Sequence, residues 1–206
     1  MIRLTDYIVN FSQSPLAQWA DLAPWALVAQ APAIVRLLLA ELPAADYLIQ
    51  DEVAVHRTAI VEPGALLKGP LIIGADCFIA SGSLLRGGCW LDANCIIGPG
   101  AELKTSFVFS GSKLAHFNFV GDSVLGHGVN LEAGSIVANY RNERVDKEVL
   151  VRVNGHLQRT GCDKFGALLA DQCRVGANAV LAPGAILAPA SVVGRGQVRD
   201  DELTAS

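Results

Sequence analysis

The sequence predicts an all-β fold, a parallel β-helix of hexapeptide repeats with a short α-helical N-terminal segment and a β-hairpin arm. Two periods carry this prediction. Gly64, Gly82 and Gly100 recur at intervals of three hexads, which make one triangular coil. Apolar residues recur without exception at every sixth position, at Val55, Val61, Leu67, Ile73, Ile79, Leu85, Leu91, Ile97, Leu103 and Phe109.

The repeat loses its phase between Gly111 and Tyr140, where polar side chains gather around His116. The six-residue count resumes at Leu125, Leu131 and Val137, and later at Leu169, Val175, Leu181, Leu187 and Val193. A regular scaffold that is interrupted around a histidine is the first place to look for chemistry. We therefore take this stretch as the candidate functional site.

The chain divides into three parts. Residues 1–48 favour helix, and Pro24 and Pro32 should break this segment into short helices that pack on the remainder. Residues 49–198 form the predicted β-helix domain, and residues 199–206 form a polar tail. Within the domain, residues 141–164 are highly charged and leave the repeat as an arm. Asn154-Gly155 predicts a two-residue hairpin turn in that arm.

Composition excludes several classes of partner. Hydrophobic residues make up 51% of the chain and charged residues only 17%, so the chain buries much apolar surface, part of it in an oligomer. The formal net charge of −4 argues against a nucleic-acid partner. The longest apolar stretch, residues 24–42, contains charged residues and prolines, which favours a packed helix over a membrane span.

The five cysteines lack the paired spacing of a zinc site or a disulfide framework, and no secretory signal is visible. We therefore expect a reducing, cytoplasmic environment. Four cysteines fall on the fifth, inward position of a hexad, where the corner has room only for small groups. These four, Cys77, Cys89, Cys95 and Cys173, are expected to be core residues and not ligands or nucleophiles.

A column of cations is predicted beside the interruption. Lys68, Arg86 and Lys104 are spaced three hexads apart, on an outward position of their hexads, so they should stack on neighbouring coils about 4.8 Å apart. Like charges at this spacing repel by roughly 1 kcal/mol per pair at a surface. A phosphate bound between them would turn that repulsion into attraction. The alternative is that the side chains splay into water.

His116 is the candidate catalytic residue. A neutral imidazole can take a proton from an attacking amine or hydroxyl near neutral pH. A lone histidine is often structural, and His127 and His56 are the other candidates near the coils. A zinc site of three histidines, as in carbonic anhydrases on this kind of scaffold, would need a closer spacing, so no metal is expected.

A series of motifs follows in order along the chain: Arg86, Pro99 to Lys104, Gly111-Ser112-Lys113, His116, Gly121-Asp122, Asn130, Ala133-Gly134 and Asn139-Tyr140. This series resembles that of the C-terminal acetyltransferase domain, a left-handed β-helix, of bifunctional glucosamine-1-phosphate acetyltransferase/uridylyltransferases, and the resemblance extends over most of residues 24–198. The charged arm followed by Lys164-Phe165-Gly166-Ala167 is more similar to the archaeal sugar-1-phosphate nucleotidylyltransferase/acetyltransferases.

The resemblance implies a left-handed helix, a homotrimer with sites between subunits, and acetyl-CoA as cosubstrate. It implies that His116 is the general base that deprotonates the sugar amine. Arg86 and Lys104 would hold the sugar phosphate, with Lys68 continuing their column, and Asn130 would contact the sugar. The implied coenzyme contacts are Asn139, Tyr140, Ala177 and Arg195, with Arg199 as a weaker candidate.

Two residues depart from the family pattern. Phe119 stands where the bacterial enzymes have a tyrosine, and Ala177 stands where they have a serine near coenzyme A. The glycine-rich nucleotidylyltransferase fingerprint is also missing from these 206 residues, so the expectation is a stand-alone acetyltransferase.

Four functions remain open at this point. The first is N-acetylation of an amino-sugar 1-phosphate, with glucosamine 1-phosphate favoured. The second is acylation of a nucleotide-linked amino sugar. The third is a non-catalytic scaffold that binds sugar phosphates, and the fourth is a metal-dependent hydratase. The acceptor, the acyl chain and the pathway do not follow from the sequence.

Overall fold

A computed structural model describes residues 2–203 and confirms the predicted left-handed parallel β-helix, with about eight coils. Met1 and residues 204–206 of the expected polar tail lie outside the described residues. Each coil gives one short strand to each of three sheets, so every sheet runs along the axis. Residues that pair in neighbouring parallel strands are three hexads apart in the sequence, or one residue fewer, as one turn of a triangular coil requires.

The elements are short. Three 3₁₀ turns, Leu4–Asp6, Phe11–Gln13 and Ala17–Trp19, precede α1 (Pro24–Ala29) and α2 (Ala31–Glu41). The strands are β1 (Tyr47–Gln50), β2 (Val53–His56), β3 (Ile60–Val61), β4 (Leu66–Leu67), β5 (Leu71–Ile73), β6 (Phe78–Ile79), β7 (Leu84–Arg86), β8 (Cys89–Leu91), β9 (Ile96–Ile97), β10 (Glu102–Lys104), β11 (Phe107–Val108), β12 (Lys113–Leu114), β13 (Phe119–Gly121), β14 (Val124–Leu125), β15 (Asn130–Leu131), β16 (Ile136–Val137), β17 (Leu150–Val153), β18 (His156–Arg159), β19 (Ala167–Leu169), β20 (Arg174–Val175), β21 (Val180–Leu181), β22 (Ala185–Leu187), β23 (Val192–Val193) and β24 (Val198–Arg199).

The three sheets differ in what covers them. Sheet A has the order β1-β2-β5-β8-β11-β14-β19-β22, sheet B has β23-β20-β15-β12-β9-β6-β3, and sheet C has β24-β21-β16-β13-β10-β7-β4. The N-terminal helices pack on the outer face of sheet A, where Ile72, Trp90 and Phe107 join their apolar cluster. Sheets B and C keep an outer face that the helices leave open, with exposed apolar residues at Ile60, Leu66, Ile136, Val192 and Val198.

The interior of the coil is apolar, as the six-residue count predicts. The core runs from Leu71 to Val193 and includes the four inward cysteines, which are at most 1% exposed. Their expected place as small core residues is thus confirmed, whereas Cys162 is half-buried in the arm. Among the described residues, no helix is both long and apolar enough to cross a membrane.

The phase slip starts earlier than the sequence predicts. Three residues join Arg86 to Trp90, but only two join their register partners Lys104 and Phe107. The coil is therefore shorter by one residue, and Val108 points inward in place of Phe109. The inward assignment of Phe109 is wrong: its ring lies in the cluster outside sheet A, 5.6 Å from the ring of Phe11 and 5.3 Å from that of Trp90.

The charged arm is confirmed as a β-hairpin. Strands β17 and β18 pair antiparallel, and both Asn154 and Gly155 at the turn have positive φ, as a two-residue hairpin turn requires. The arm leaves and re-enters the coil between sheets C and A. Its base is fixed by the buried Arg141, whose guanidinium donates to both carboxylate oxygens of Asp200, at 2.6 and 2.8 Å, and to Pro183 O at 3.1 Å.

This anchor predicts an acid-sensitive arm. The Arg141 guanidinium lowers the pKa of Asp200 below its ordinary value, so the pair stabilises the fold fully above about pH 4. That stability is lost as the pH falls through the lower, folded pKa. Urea unfolding between about pH 5 and pH 2 should show a decline that Asp200→Asn flattens. An Asp200→Asn variant with the same decline as the unmodified chain would contradict this assignment.

Candidate active site

His116 lies at the corner that joins sheet B to sheet C, which we call the B–C corner (residues 115–118 in this coil). Its side chain is exposed, and its imidazole forms no hydrogen bond or ion pair within residues 2–203. The corner is shaped by a close approach below it, where the Phe117 ring covers Gly100. Phe117 itself has φ +53° and is 72% exposed, so an aromatic ring and a free imidazole stand side by side at this corner.

The B–C corners of successive coils stack above His116. Backbone hydrogen bonds link His116 to the corner of Ala133, that corner to the corner of Ala177, and that one to the corner of Arg195. Three steps of about 4.8 Å place Arg195 roughly 14 Å from His116 along the axis. The residues that the resemblance assigns to the base and to half of the coenzyme contacts therefore share one edge.

Glu132 ties the upper part of this edge together. Its carboxylate accepts from the Arg195 guanidinium at 2.8 and 3.0 Å and from the Ala177 N–H at 2.9 Å. The Arg195 hydrogen bond and then that of Ala177 lower the pKa of Glu132 to about 2. Arg195 is 77% exposed, so it remains open to an anionic ligand although it already has a partner.

The cation column lies at the opposite edge of sheet C, at the corner toward sheet A that we call the C–A corner. Arg86 and Lys104 are register partners, as the sequence predicts, and Lys68 follows β4 one coil below. Each of the two upper cations has a carboxylate partner that the sequence analysis missed. Arg86 pairs with Glu102 and Lys104 with Asp122, both at 2.7 Å, whereas Lys68 is exposed and unpaired within the described chain.

Asp122 organises the shortened corner. It has φ +47°, is 6% exposed, and accepts from Lys104 Nζ at 3.0 and 2.7 Å and from the amide of Asn139. Gly121 permits this approach, because a Cβ there would lie 2.7 Å from Asn139 Nδ2 and 2.9 Å from Phe119 Cζ. The spacing signal was present in the sequence, since Asp122 follows Lys104 at the three-hexad interval.

The remaining predicted residues lie apart from one another. Tyr140 is at the C–A corner, where Lys147 Nζ lies 5.2 Å above its ring. Asn130 is on the outer face of sheet B, in register between Lys113 and Arg174. It lines a groove of about 190 Å³ together with Glu132 and Arg195, so it lies beside the upper part of the B–C corner.

The structure thus sorts the predicted site into three places. The B–C corner holds His116, Ala177 and Arg195, and the C–A corner holds the cation column with Asn139 and Tyr140. The outer face of sheet B holds Asn130. Five residue steps lead from His116 to Gly121, the register partner of Lys104, so the two edges of sheet C are at most roughly 16 Å apart. Phe119 lies on the outer face of sheet C between these two edges, in a region that we call the strip. The long side chains of the cation column extend into this strip from the C–A corner.

Residues 2–203 contain no group of three or more His, Cys, Asp or Glu side chains arranged to hold a metal ion.

This geometry and the repeat define a hexapeptide-repeat protein. A family model described as bacterial transferase hexapeptide (six repeats) matches residues 70–105. Within such proteins, the chain is 39% identical over 100 residues to a bifunctional sugar-1-phosphate nucleotidylyltransferase/acetyltransferase of Sulfurisphaera tokodaii. It is 29% identical over 103 residues to the bifunctional protein GlmU of Methanococcus maripaludis.

These matches confirm the resemblance inferred from the sequence. They cover 46% and 50% of this chain, and the chain spans 24% of the length of each of the two relatives. Among solved structures, AntD, an N-acyltransferase from Bacillus cereus in complex with dTDP and 3-hydroxybutyryl-CoA, is 13% identical with a TM-score of 0.39, over 81% of this chain and 78% of that one. A hexapeptide transferase family protein from Anaplasma phagocytophilum is 19% identical with a TM-score of 0.36, over 71% and 72%.

Proposed function

We propose that this chain transfers the acetyl group of acetyl-CoA to the amine of an amino-sugar 1-phosphate, with glucosamine 1-phosphate as the leading acceptor. The observation that carries the proposal is the exposed, unpaired His116 on one edge of sheet C, facing a strip whose other edge bears Arg86 and Lys104. The amine and the phosphate of glucosamine 1-phosphate are carried by neighbouring carbon atoms, so in this proposal the long Arg86 and Lys104 side chains reach across the strip to hold the phosphate while His116 meets the amine.

In the proposed reaction, His116 accepts a proton from the sugar amine as the nitrogen attacks the thioester carbonyl. The carbon–sulfur bond then breaks and the coenzyme leaves as its thiol. Alignment of the amine and the thioester supplies much of the rate enhancement, because it replaces a bimolecular encounter with a bound pair. His116 has no carboxylate partner within the described chain, so it acts in this scheme as a simple base and not as part of a triad.

The B–C corner is the proposed path of the coenzyme. An extended pantetheine arm along this edge would place its thioester near His116 and its phosphates near Arg195. Ala177 lies between them and presents its N–H to Glu132, so its small side chain leaves the edge unobstructed. We further propose that Asn139 and Tyr140 approach the coenzyme from another protomer, because they lie at the opposite edge of sheet C from Arg195.

We further propose that the chain forms a homotrimer, as the resemblance implies, and the same separation supports a site shared between protomers. Asn130 faces outward from sheet B while the cation column lies beyond the far edge of sheet C, so one small acceptor cannot contact both within a single chain. The open faces of sheets B and C carry the exposed apolar residues that an oligomer would bury. A site completed by a neighbouring protomer would reunite the three groups.

Release of free coenzyme A thiol tests the proposal directly. Acetyl-CoA is incubated with the chain and with glucosamine 1-phosphate, galactosamine 1-phosphate or glucosamine as parallel acceptors. We expect release that depends on the 1-phosphate. If none of the three supports release, the acetyltransferase proposal for sugar 1-phosphates is wrong, and the nucleotide-linked acceptor or the non-catalytic scaffold takes its place.

The cation column predicts a selective effect on phosphate-bearing acceptors. Lys104→Met alone would leave Asp122 buried without its cation, so the informative variant is K104M/D122N, compared with D122N. Loss of one charge-assisted hydrogen bond, about 1.5 kcal/mol, should raise the KM for glucosamine 1-phosphate roughly tenfold. The KM for glucosamine should change little, and Arg3→Met, which removes an exposed cation paired with Asp6 in the N-terminal segment, should leave both unchanged. An equal loss with both acceptors would contradict a phosphate site at Lys104.

One observation favours the nucleotide-linked acceptor as a second candidate. Three cations stand in the column, but Glu102 and Asp122 neutralise two of them, which leaves a net charge of one. A phosphate monoester concentrates close to two charges on one phosphate near neutral pH, whereas a sugar diphosphate spreads about two charges over two phosphates. A column with a net charge of one matches the lower charge on each phosphate of the diphosphate better, so a nucleotide diphosphate amino sugar is the acceptor to add to the assay.

A further inference from the structure

Cys77 and Cys95 occupy the same inward corner position on neighbouring coils. Strands β6 and β9 pair with Phe78 opposite Ile96, so the two cysteines that precede these residues are also neighbours. Parallel strands lie about 4.8 Å apart, which is within the roughly 4.4–6.8 Å between Cα atoms that a disulfide spans. The Cys77 thiol donates to Asp92 O at 3.0 Å, and the Cys95 Sγ lies 3.4 Å from Phe109 O and 3.8 Å from Ala93 O.

The other cysteines have no such neighbour. Cys173 stacks between Val129 and Ser191, since Arg174 pairs with Asn130 and Val192 in the adjacent strands. Cys89 lies at a different corner, opposite Leu71. Two thiols meeting in the core are therefore a local feature of the coils that hold Cys77 and Cys95 and do not follow from the repeat itself.

A cavity lies next to this pair. It has a volume of about 430 Å³ and lies between α2 and the β-helix. Its lining includes the exposed Asp46 together with Asp92 and Ala93, whose carbonyl oxygens the two thiols approach. A small uncharged oxidant in this cavity would thus be separated from the sulfurs by one layer of backbone.

The two thiols are also electrostatically unequal. The neighbouring Cys95 thiol lowers the pKa of Cys77, whereas the Cys77 thiol and then burial raise the pKa of Cys95. Of the two, Cys77 is therefore the one that ionises more readily, and the thiolate is the form that reacts with peroxide.

We propose that Cys77 and Cys95 form a redox-active thiol pair, which hydrogen peroxide converts into a disulfide bond joining two coils. The Cys77 sulfur attacks one peroxide oxygen, the O–O bond breaks, and a sulfenic acid and one water form. The Cys95 sulfur then attacks the sulfenic sulfur, the S–O bond breaks, and a second water leaves. The two thiols are oxidised by two electrons and the peroxide is reduced to two waters.

Peptide mapping of the whole chain tests this proposal. The reduced, folded protein is exposed to hydrogen peroxide, quenched, denatured, alkylated with N-ethylmaleimide, digested and analysed by mass spectrometry. We expect a peptide cross-linked through Cys77 and Cys95 that disappears when dithiothreitol precedes alkylation, with Cys89 and Cys173 fully alkylated. The midpoint temperature of thermal unfolding should be higher for the oxidised chain than for the reduced chain, because the disulfide closes a loop between neighbouring coils.

Two serine variants sharpen the outcome. Cys173→Ser should keep the cross-linked peptide, and Cys95→Ser should lose it while Cys77 accumulates as a sulfenic acid that dimedone traps. The proposal is overturned if Cys77 and Cys95 in the unmodified chain remain fully alkylated after peroxide. It is equally overturned if the cross-link forms only when peroxide is added to the unfolded protein.

Discussion

Replacing His116 with alanine should lower turnover of acetyl-CoA and the amino-sugar acceptor by about a hundredfold to ten-thousandfold. This is the range that a positioned general base contributes, and no second imidazole shares the B–C corner within the described chain. The KM for acetyl-CoA should stay within about twofold, because Ala177 and Arg195, the proposed coenzyme contacts, lie two and three coils away. Steady-state release of coenzyme A thiol measures both quantities.

The matched control is His156→Ala. His156 is also exposed, but it lies at the tip of the arm in β18, so its removal should leave turnover unchanged. Because His116 is exposed and makes no side-chain hydrogen bond in the described chain, its replacement should leave the unfolding midpoint unchanged as well. Wild-type turnover in the His116→Ala variant would exclude it as the base, whatever acceptor is used.

Gly98→Ala should destabilise the chain more than a glycine-to-alanine substitution at any other position. A Cβ at Gly98 would lie 1.6 Å from Ala115 O and 2.6 Å from Ala115 C, so backbone and not a flexible side chain must move. We expect a loss of about 3 kcal/mol, which is a fall of roughly 10 °C in Tm for a chain of this length. Turnover of the folded fraction should fall too, because Ala115 directly precedes His116.

Gly111→Ala provides the comparison. Nothing lies within 4 Å of a Cβ at Gly111, although its φ of +71° makes any side chain strained. Its loss should be limited to that strain, about 1 kcal/mol. Thermal unfolding of the two variants side by side isolates the close approach at Gly98. Equal losses would mean that the contact between the coils at Gly98 and Ala115 is looser than the structure shows.

The sequence predicts the inward residues well while each coil keeps its full length, and fails where a corner loses a residue before a strand that is buried on both sides. The six-residue count identifies the inward residues as far as Leu103. At the next position the count selects Phe109, whereas Val108 is the inward residue. The apolar pattern does not expose this error, because the N-terminal helices cover sheet A and Phe107, Val108 and Phe109 are all fully buried. With three apolar residues in a row, the pattern cannot reveal that the preceding corner has lost one residue.

The sequence predicts the cations of the candidate site but not the carboxylates that pair with them. Stacking at the three-hexad spacing is enough to align Arg86 with Lys104. The partners Glu102 and Asp122 depend on rotamers and on the left-handed backbone of the shortened corner, which no sequence spacing specifies. The remaining predicted residues are distributed over two corners and a neighbouring sheet. This distribution depends on the coil geometry, which a resemblance in sequence motifs does not reveal.

The anchoring of the arm by Arg141 has a consequence for how the chain opens. A solenoid ordinarily frays one coil at a time from its end, since each coil contacts only its neighbours. Here Arg141, which begins the arm, bonds to Asp200 after the last strand, so the final coil cannot peel away without releasing the arm. Amide hydrogens of β17 and β24 should therefore exchange with one common opening free energy, as a single cooperative unit.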